Sequence, residues 1–444
     1  MSFPPYASYK PSGVEWIGQV PGSWGVTPLF GELDETKRPN RDGENVKVLS
    51  LSYGRVIRRD VSTNEGLLPA SFSTYQEIQP GDIILRLTDL QNDQRSLRVG
   101  LAHEVGVITS AYVSLKSGGR LLPSYAYYLL HAYDLTKVLY SLGGGVRQSL
   151  KFADLKRLPV LAPPTADQLA IVHFLDRRVA EIDALIARKR KLTGLLDEKR
   201  SAEISHAITQ GINSKVAMTF SGIEWLGDIP SSWTVTRMRF LAEVRQGVPK
   251  GRDLGTQTTI TVPYLRVANV QDGHLNLEDL AEIEILPAEL ERYSLRDRDI
   301  LMNEGGDNDK LGRGAVWRNQ VSPCIHQNHV FAVRPNDTNL ASWISLVTQS
   351  AYAKFFFFSR AKQSTNLASI SSSNLRDLPV ILPPREVRLE IEKHISEACS
   401  EIDVLTASVD SAIERLREYR TALIDAAVTG KIDVRDYEPP ELCQ

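Results

Sequence analysis

Residues 12–24 read SGVEWIGQVPGSW, and residues 221–233 read SGIEWLGDIPSSW. Eight of the thirteen positions are identical, and three more exchange Val, Ile or Leu. A second pair lies further on: LKRLPVLAPP (155–164) returns 220 residues later as LRDLPVILPP (375–384), whereas the leads are 209 apart. Behind these hinges, 165–211 and 385–430 keep the offset of 220, with Glu181-Ile182-Asp183 against Glu401-Ile402-Asp403 and Arg200 against Arg420. Ala207-Ile208-Thr209-Gln210-Gly211 likewise meets Ala427-Val428-Thr429-Gly430, one residue shorter. Repeats of this kind set the architecture before any local propensity does. Each half is a Trp-containing lead, a middle (25–147 and 234–363), a Leu-Pro hinge and a long amphipathic segment. The middles do not align with each other, and from lead to hinge the second half is longer by the eleven residues that separate the two offsets. A duplicated mount with two different inserts implies two related tasks on two different targets.

The long segments carry the clearest periodicity. Val172, Leu175, Val179, Ile182, Ile186 and Leu196 recur at three- and four-residue steps, interrupted by Lys189 and Thr193. In the second copy Ile395, Cys399, Ile402, Val409, Ile413, Leu416 and Leu423 do the same, interrupted by Thr406 and Arg420. A narrow apolar stripe with charged flanks is a coiled-coil seam. Pro163-Pro164 and Pro383-Pro384 stop what precedes each helix, and Gly211 and Gly430 end it. A helix of about 45 residues is about 65–70 Å long, and cannot bury its stripe alone. Pairing the two copies antiparallel solves this and creates an internal pseudo-two-fold. The predicted fold class is α+β: two globular α/β domains joined by two long helices paired as an antiparallel coiled coil. The expected boundaries are 1–157 and 213–377 for the domains, 158–212 for the central helix, and 378–444 for the C-terminal helix and tail.

Two related domains at fixed separation match the symmetry of DNA half-sites one helical turn, about 34–36 Å, apart. Since the middles differ, the half-sites would differ, giving a split and asymmetric target. The chain's 444 residues with 42% hydrophobic and 24% charged content are ordinary for globular protein. The net charge of −2 is no electrostatic magnet for nucleic acid, so partners are expected to supply part of the grip. No run of 18 apolar residues exists and MSFPPYASYK lacks a signal-like apolar core, so no membrane association is expected. Three scattered cysteines (Cys324, Cys399, Cys443) fit a reducing compartment, and a cytoplasmic location is expected.

Catalytic signatures are missing. There is no G-x-x-x-x-G-K-[ST], no Asn- or Asp-Pro-Pro-aromatic tetrapeptide, and no Gly-rich loop in a βαβ setting. Cys324-x-His326-x-x-His329 has metal-ligand residue types without a fourth ligand nearby, and no metal is expected. Asp307-Asn308-Asp309-Lys310 reads as a polar loop rather than a nuclease carboxylate cluster, since no Glu-x-Lys follows on a strand. No catalytic residue is assigned.

The doubled lead, the L-x-x-LPV-x-x-PP hinges and the helix ends EISHAITQG and ALIDAAVTG together resemble the specificity subunit (HsdS) of type I restriction-modification systems. The resemblance spans essentially the whole chain. It implies that each middle is a target-recognition domain reading one half of a bipartite DNA site. The helices would set the spacer and dock two methyltransferase subunits, with separate restriction-translocase subunits as further partners. It also implies a chain without catalysis or cofactor of its own, S-adenosylmethionine, ATP and Mg²⁺ belonging to the partners. Two rival readings are a coiled-coil scaffold whose domains bind proteins, and a chain that adds catalysis to DNA binding.

Base readout calls for Arg or Lys at guanine and Asn or Gln at adenine, while Ser, Thr and backbone N–H groups suit phosphates. RLTDLQNDQRSLR (86–98) follows the strand-like DIILRL and offers Arg86, Thr88, Gln91, Asn92, Gln94, Arg95 and Arg98. GGGVRQSLK (143–151) offers Arg147, Gln148, Ser149 and Lys151; its partner AKQSTNLAS (361–369) offers Lys362, Gln363, Ser364, Thr365 and Asn366. NEGGDNDKLGRG (303–314) follows DILM and offers Asn308, Lys310 and Arg313, with Gln327 and Asn328 beyond it and RVANVQDG (266–273) as a weaker stretch. Their arginines could instead be salt-bridged to Asp89, Asp93 or Asp307. Trp16, Trp24, Trp225 and Trp233 belong to the repeated frame, so they read as packing anchors rather than base-stacking platforms.

Overall fold

The computed structural model describes residues 3–40, 47–60, 71–90, 92–93, 96–142, 149–306, 311–363 and 368–437. It divides into two compact units, Met1–Lys189 with Ser411–Gln444, and Arg190–Asp410.

In the first unit, β1 (Gly25–Pro28) leaves the lead and pairs antiparallel with β6 (Pro159–Ala162), the strand of the hinge. Between them stand β2 (Leu33–Thr36), β3 (Ile83–Leu85), β4 (Val99–Leu101) and β5 (Val113–Ser117), which form an antiparallel sheet in the order β2-β5-β3-β4. The β3 side chains Ile83, Ile84 and Leu85 are all buried, so this strand lies covered on both faces. Helix α1 (Pro123–Leu135) starts at a proline, whose missing N–H costs nothing there. The hydroxyl of Tyr133 on α1 donates to the Pro159 carbonyl at 3.0 Å, fixing the helix to β6.

The second unit repeats this plan. β7 (Thr234–Arg237) pairs with β12 (Pro379–Leu382), and β8 (Ala242–Gln246), β9 (Ile300–Asn303), β10 (Gly314–Val316) and β11 (Val330–Pro335) make a sheet in the order β8-β11-β9-β10. Strand for strand this is the first sheet, although the sequences between the frames do not align. Backbone bonds confirm the register: Arg86 N–H to the Arg98 carbonyl corresponds to Asn303 N–H to the Arg313 carbonyl, each 2.9 Å. Both units also share the turn entering the third strand. Gly81 and Arg298 have φ of 91° and 69°, and the next residue, Asp82 or Asp299, is buried and ion-paired, with Arg38 at 2.5 Å and Arg334 at 2.7 Å. The second core packs Phe331, Trp343, Phe356 and Ile381 with Ile204, Ile208, Ile391 and Ile395 of the long helices.

The leads fold alike. Ser12 N–H reaches the Gly18 carbonyl at 2.9 Å, and Ser221 N–H reaches that of Gly227 at 3.0 Å. The first tryptophan of each lies against an equivalent tyrosine, Trp16 on Tyr133 at 4.9 Å and Trp225 on Tyr352 at 6.2 Å, and stays partly exposed. The second is buried. Trp24 donates from Nε1 to Asp167 at 2.9 Å, and a Cβ on Gly430 would come within 3.1 Å of its ring. Trp233 stands in the same relation to Gly211, at 3.2 Å.

The long helices are α2 (Thr165–Gln210) and α3 (Arg385–Val428), each beginning immediately after its Pro-Pro pair. Leu175, Val179, Ile182, Ile186 and Leu196 on α2 are buried, as are Ile395, Ile402, Val409, Ile413 and Leu423 on α3. Within the first unit Arg420 pairs with Asp183 at 3.1 Å. Within the second, Arg200 pairs with Asp403, and His394 with Glu203 at 2.9 Å. Arg200 and Asp403 are the repeat equivalents of Arg420 and Asp183, so the same ion pair occurs in each unit with the helices exchanged. Among the described residues no helix is long and apolar enough to cross a membrane.

Candidate nucleic-acid interface

The candidate loops of the first unit converge. Leu150 donates its N–H to the Leu87 carbonyl at 2.9 Å, so the described residues just before the hinge lie against those that follow β3. Together they border a cleft of about 610 Å³ that includes Thr88, Ser149 and Lys151 with Lys37, Ser73 and Tyr112. Ser149 and Lys151 are exposed and Thr88 is half-buried. Lys151 also caps the short helix Phe152–Leu155, its N–H donating to the Asp154 carboxylate at 2.8 Å. Hydroxyls, an exposed ammonium and partly buried aromatic rings suit a polyanion with planar groups. Arg86 lies 3.6 Å from the Asp93 carboxylate, and exposed Asn92 donates to Asp89 at 2.7 Å.

Arg98 does not fit the base-reading role that the sequence assigns it. It is fully buried, and its guanidinium donates inward to the carbonyls of Arg86, Thr88, Asp89 and Asp93 and to the Tyr140 hydroxyl. All five N–H donors are engaged, leaving none for DNA.

The second unit brings its candidates together in the same way. Ile370, the repeat equivalent of Leu150, donates to the Glu304 carbonyl at 2.8 Å. The strand Gly305–Gly306 pairs with Ala368–Ser369, which pairs in turn with Lys362–Gln363. Glu304 also accepts from the His329 ring at 2.7 Å and takes its N–H to the His329 carbonyl at 2.9 Å. Thus Glu304 to Gly306, the 326–329 turn, and the strands Lys362–Gln363 and Ala368–Ser369 form one cluster among the described residues. Lys362 is exposed, while Arg313, Gln327 and Asn328 are half-buried. Gln327 and Asn328 donate their backbone N–H groups to Leu265 and Val248. Arg266 of the weaker stretch is paired with Asp279 at 2.8 Å. Gln91, Gln94, Arg95, Arg147, Gln148, Asn308, Lys310, Ser364, Thr365 and Asn366 lie outside the described residues, and Gln363 is described by its backbone alone.

Lys37 and Arg38 also line the first cleft without having been singled out. The basic run TKRPNR (36–41), which begins at the last residue of β2, was the available signal, and exposed Lys250 lies a short way beyond the end of β8. Lys37 is weakly held, 3.2 Å from Glu35 and largely exposed, whereas Arg38 is committed to buried Asp82.

The Cys324, His326 and His329 triplet does not converge. The His326 ring lies 2.7 Å from the Val330 carbonyl and its pKa is held down near 4 by burial. His329 faces Glu304, and burial pushes the Cys324 thiol up to about 12. Among the described residues no group of three His, Cys, Asp or Glu side chains is placed to hold a metal ion.

No family model matches the chain. It is 23% identical over 284 residues to the type I restriction enzyme EcoKI specificity subunit of Escherichia coli K12, a stretch covering 63% of this chain and 58% of that protein. With the type I restriction enzyme StySPI specificity subunit of Salmonella potsdam it shares 21% over 364 residues, covering 80% and 76%. A chain from a solved structure concerned with complex assembly and conformational transition of the type I R-M system superposes with a TM-score of 0.59 at 16% identity. That match covers 92% of this chain and 98% of the other, so the two share a fold. The curated relatives of this chain are specificity subunits of type I restriction enzymes, the family that its doubled frame resembles.

Proposed function

We propose that this chain is the DNA sequence-specificity subunit of a type I restriction-modification enzyme. Each unit reads one half of a split, asymmetric duplex site. The first does so around the cleft of Thr88, Ser149 and Lys151, the second around the cluster of Arg313, Asn328 and Lys362. One observation carries this reading: two units share a strand-for-strand frame, and at the same place in each a polar loop and the segment before the hinge are tied together, with different sequences. A common mount with divergent tips is what two readers of two different half-sites require.

The long helices pair antiparallel, set the unread spacer and dock two methyltransferase subunits, with restriction subunits joining that assembly. The exchanged Asp183–Arg420 and Arg200–Asp403 pairs support this pairing. The chain works inside the cell without a catalytic centre, and S-adenosylmethionine, ATP and Mg²⁺ act on its partners.

Co-expression with the neighbouring methyltransferase in a methylation-free host, followed by genome-wide mapping of N6-methyladenine, tests the proposal. A single split motif that vanishes when this chain is omitted is the expected result. Methylation unchanged by its omission would reduce it to a scaffold.

A further inference from the structure

The loop from β3 to β4 is folded around a cation. Arg98 is 0% exposed, and its Nη1 donates to the carbonyls of Arg86 (3.2 Å) and Thr88 (2.7 Å). Nη2 donates to Asp89 (3.1 Å) and Asp93, and Nε to the Tyr140 hydroxyl (2.9 Å). The Asp89 carbonyl reaches the guanidinium from a left-handed residue with φ of 59°. Among the described residues no carboxylate is hydrogen-bonded to the guanidinium; carbonyl dipoles and one phenol hydroxyl replace its hydration. The backbone N–H of Arg98 donates to buried Asp134 at 2.7 Å, anchoring the loop's end on α1. Four carbonyls spread over eight residues thus converge on one side chain. Thr88 is left on the cleft and Asn92 in solvent.

We propose that Arg98 is the positioning residue of the first reader: a buried guanidinium that sets the shape of the 86–98 loop and so the half-site it recognises, without touching DNA. This rests on the first unit being a half-site reader. Lysine keeps the charge but has three donors on a flexible stem and cannot reproduce a planar five-donor fork.

The full-length chain carrying Arg98→Lys is compared with the wild type by amide hydrogen exchange and, with the methyltransferase, by methylation mapping. Tyr140→Phe removes only the Nε partner and serves as the milder variant should the first fail to fold. At least tenfold faster exchange confined to 86–98 is expected, with relaxed base preference in one half of the motif and the other half read as before. Tyr140→Phe should show the same pattern at smaller amplitude. Exchange in 86–98 unchanged in both variants would overturn the proposal. So would a loosened loop with an unchanged motif, or equal relaxation of both halves, which marks a general loss of structure. A loosened loop in the variant with no split motif even from the wild type would overturn the reader assignment on which the proposal rests, leaving Arg98 as a loop staple alone.

Discussion

Two buried histidines give each unit a pH-dependent stability. His131 on α1 stacks on Tyr127 at 5.5 Å, both ring nitrogens without a hydrogen-bond partner among the described residues, and burial with the nearby Arg420 charge holds its pKa near 3. His326 is held near 4 by burial. Both values lie below that of a free histidine, about 6.5. As pH falls below about 6.5 the unfolded chain takes up protons that the folded chain refuses. Stability is therefore full above that pH and declines below it, by about 1.4 kcal/mol per pH unit per histidine. His131→Leu should remove the first unit's share. Urea melts at pH 7 and 5.5 should show the variant losing about 1 kcal/mol less than the wild type between them. At this scale the sequence marks which residues are polar and on loops, but not which way they face. Arg98 and Asn92 both belong to RLTDLQNDQRSLR, and only folding turns one inward and leaves the other in water.

Among the elements, the long helices were the most legible, because seam, Pro-Pro start and Gly end all act over neighbouring residues. α2 nevertheless carries Gly194 in its interior, exposed and with nothing within 4 Å of an added Cβ. Gly194→Ala should raise stability by about 0.5–1 kcal/mol through the lower backbone entropy of the unfolded chain, read as a higher denaturant midpoint with unchanged m-value. The strands were less legible. DIILRL was recognisable as a strand, but the common sheet order was not, because it depends on partners far apart in sequence. β2 pairs with β5 some eighty residues later. Equivalence of the middles emerges only from matched backbone bonds, such as Leu150 to Leu87 and Ile370 to Glu304.

For the molecule as a whole, the duplicated frame foretold two related units. Replacing 25–147 with the first middle of a relative should change one half of the methylation motif and leave the other half intact. Methylation mapping of the chimera reads this directly, and a change in both halves would contradict independent readers. The location of the candidate surfaces was legible as loops after apolar strands. Their composition was not, since the first cleft also draws on Lys37 and Ser73, which only the tertiary fold carries to Thr88 and Lys151.

Each middle enters and leaves through a two-strand clasp, β1 against β6 in one unit and β7 against β12 in the other, with Val26 opposite Leu161 and Val235 opposite Ile381. Paired strands lie about 5 Å apart, so the two ends of the insert meet at neighbouring points whatever lies between them. Codons can be gained, lost or exchanged inside the clasp without moving its ends, and the eleven extra residues between the strands of the second clasp are one such difference already absorbed. In evolutionary terms each clasp is a pair of fixed joining points, and the gene can exchange the whole text between them while the binding that holds the pages stays the same.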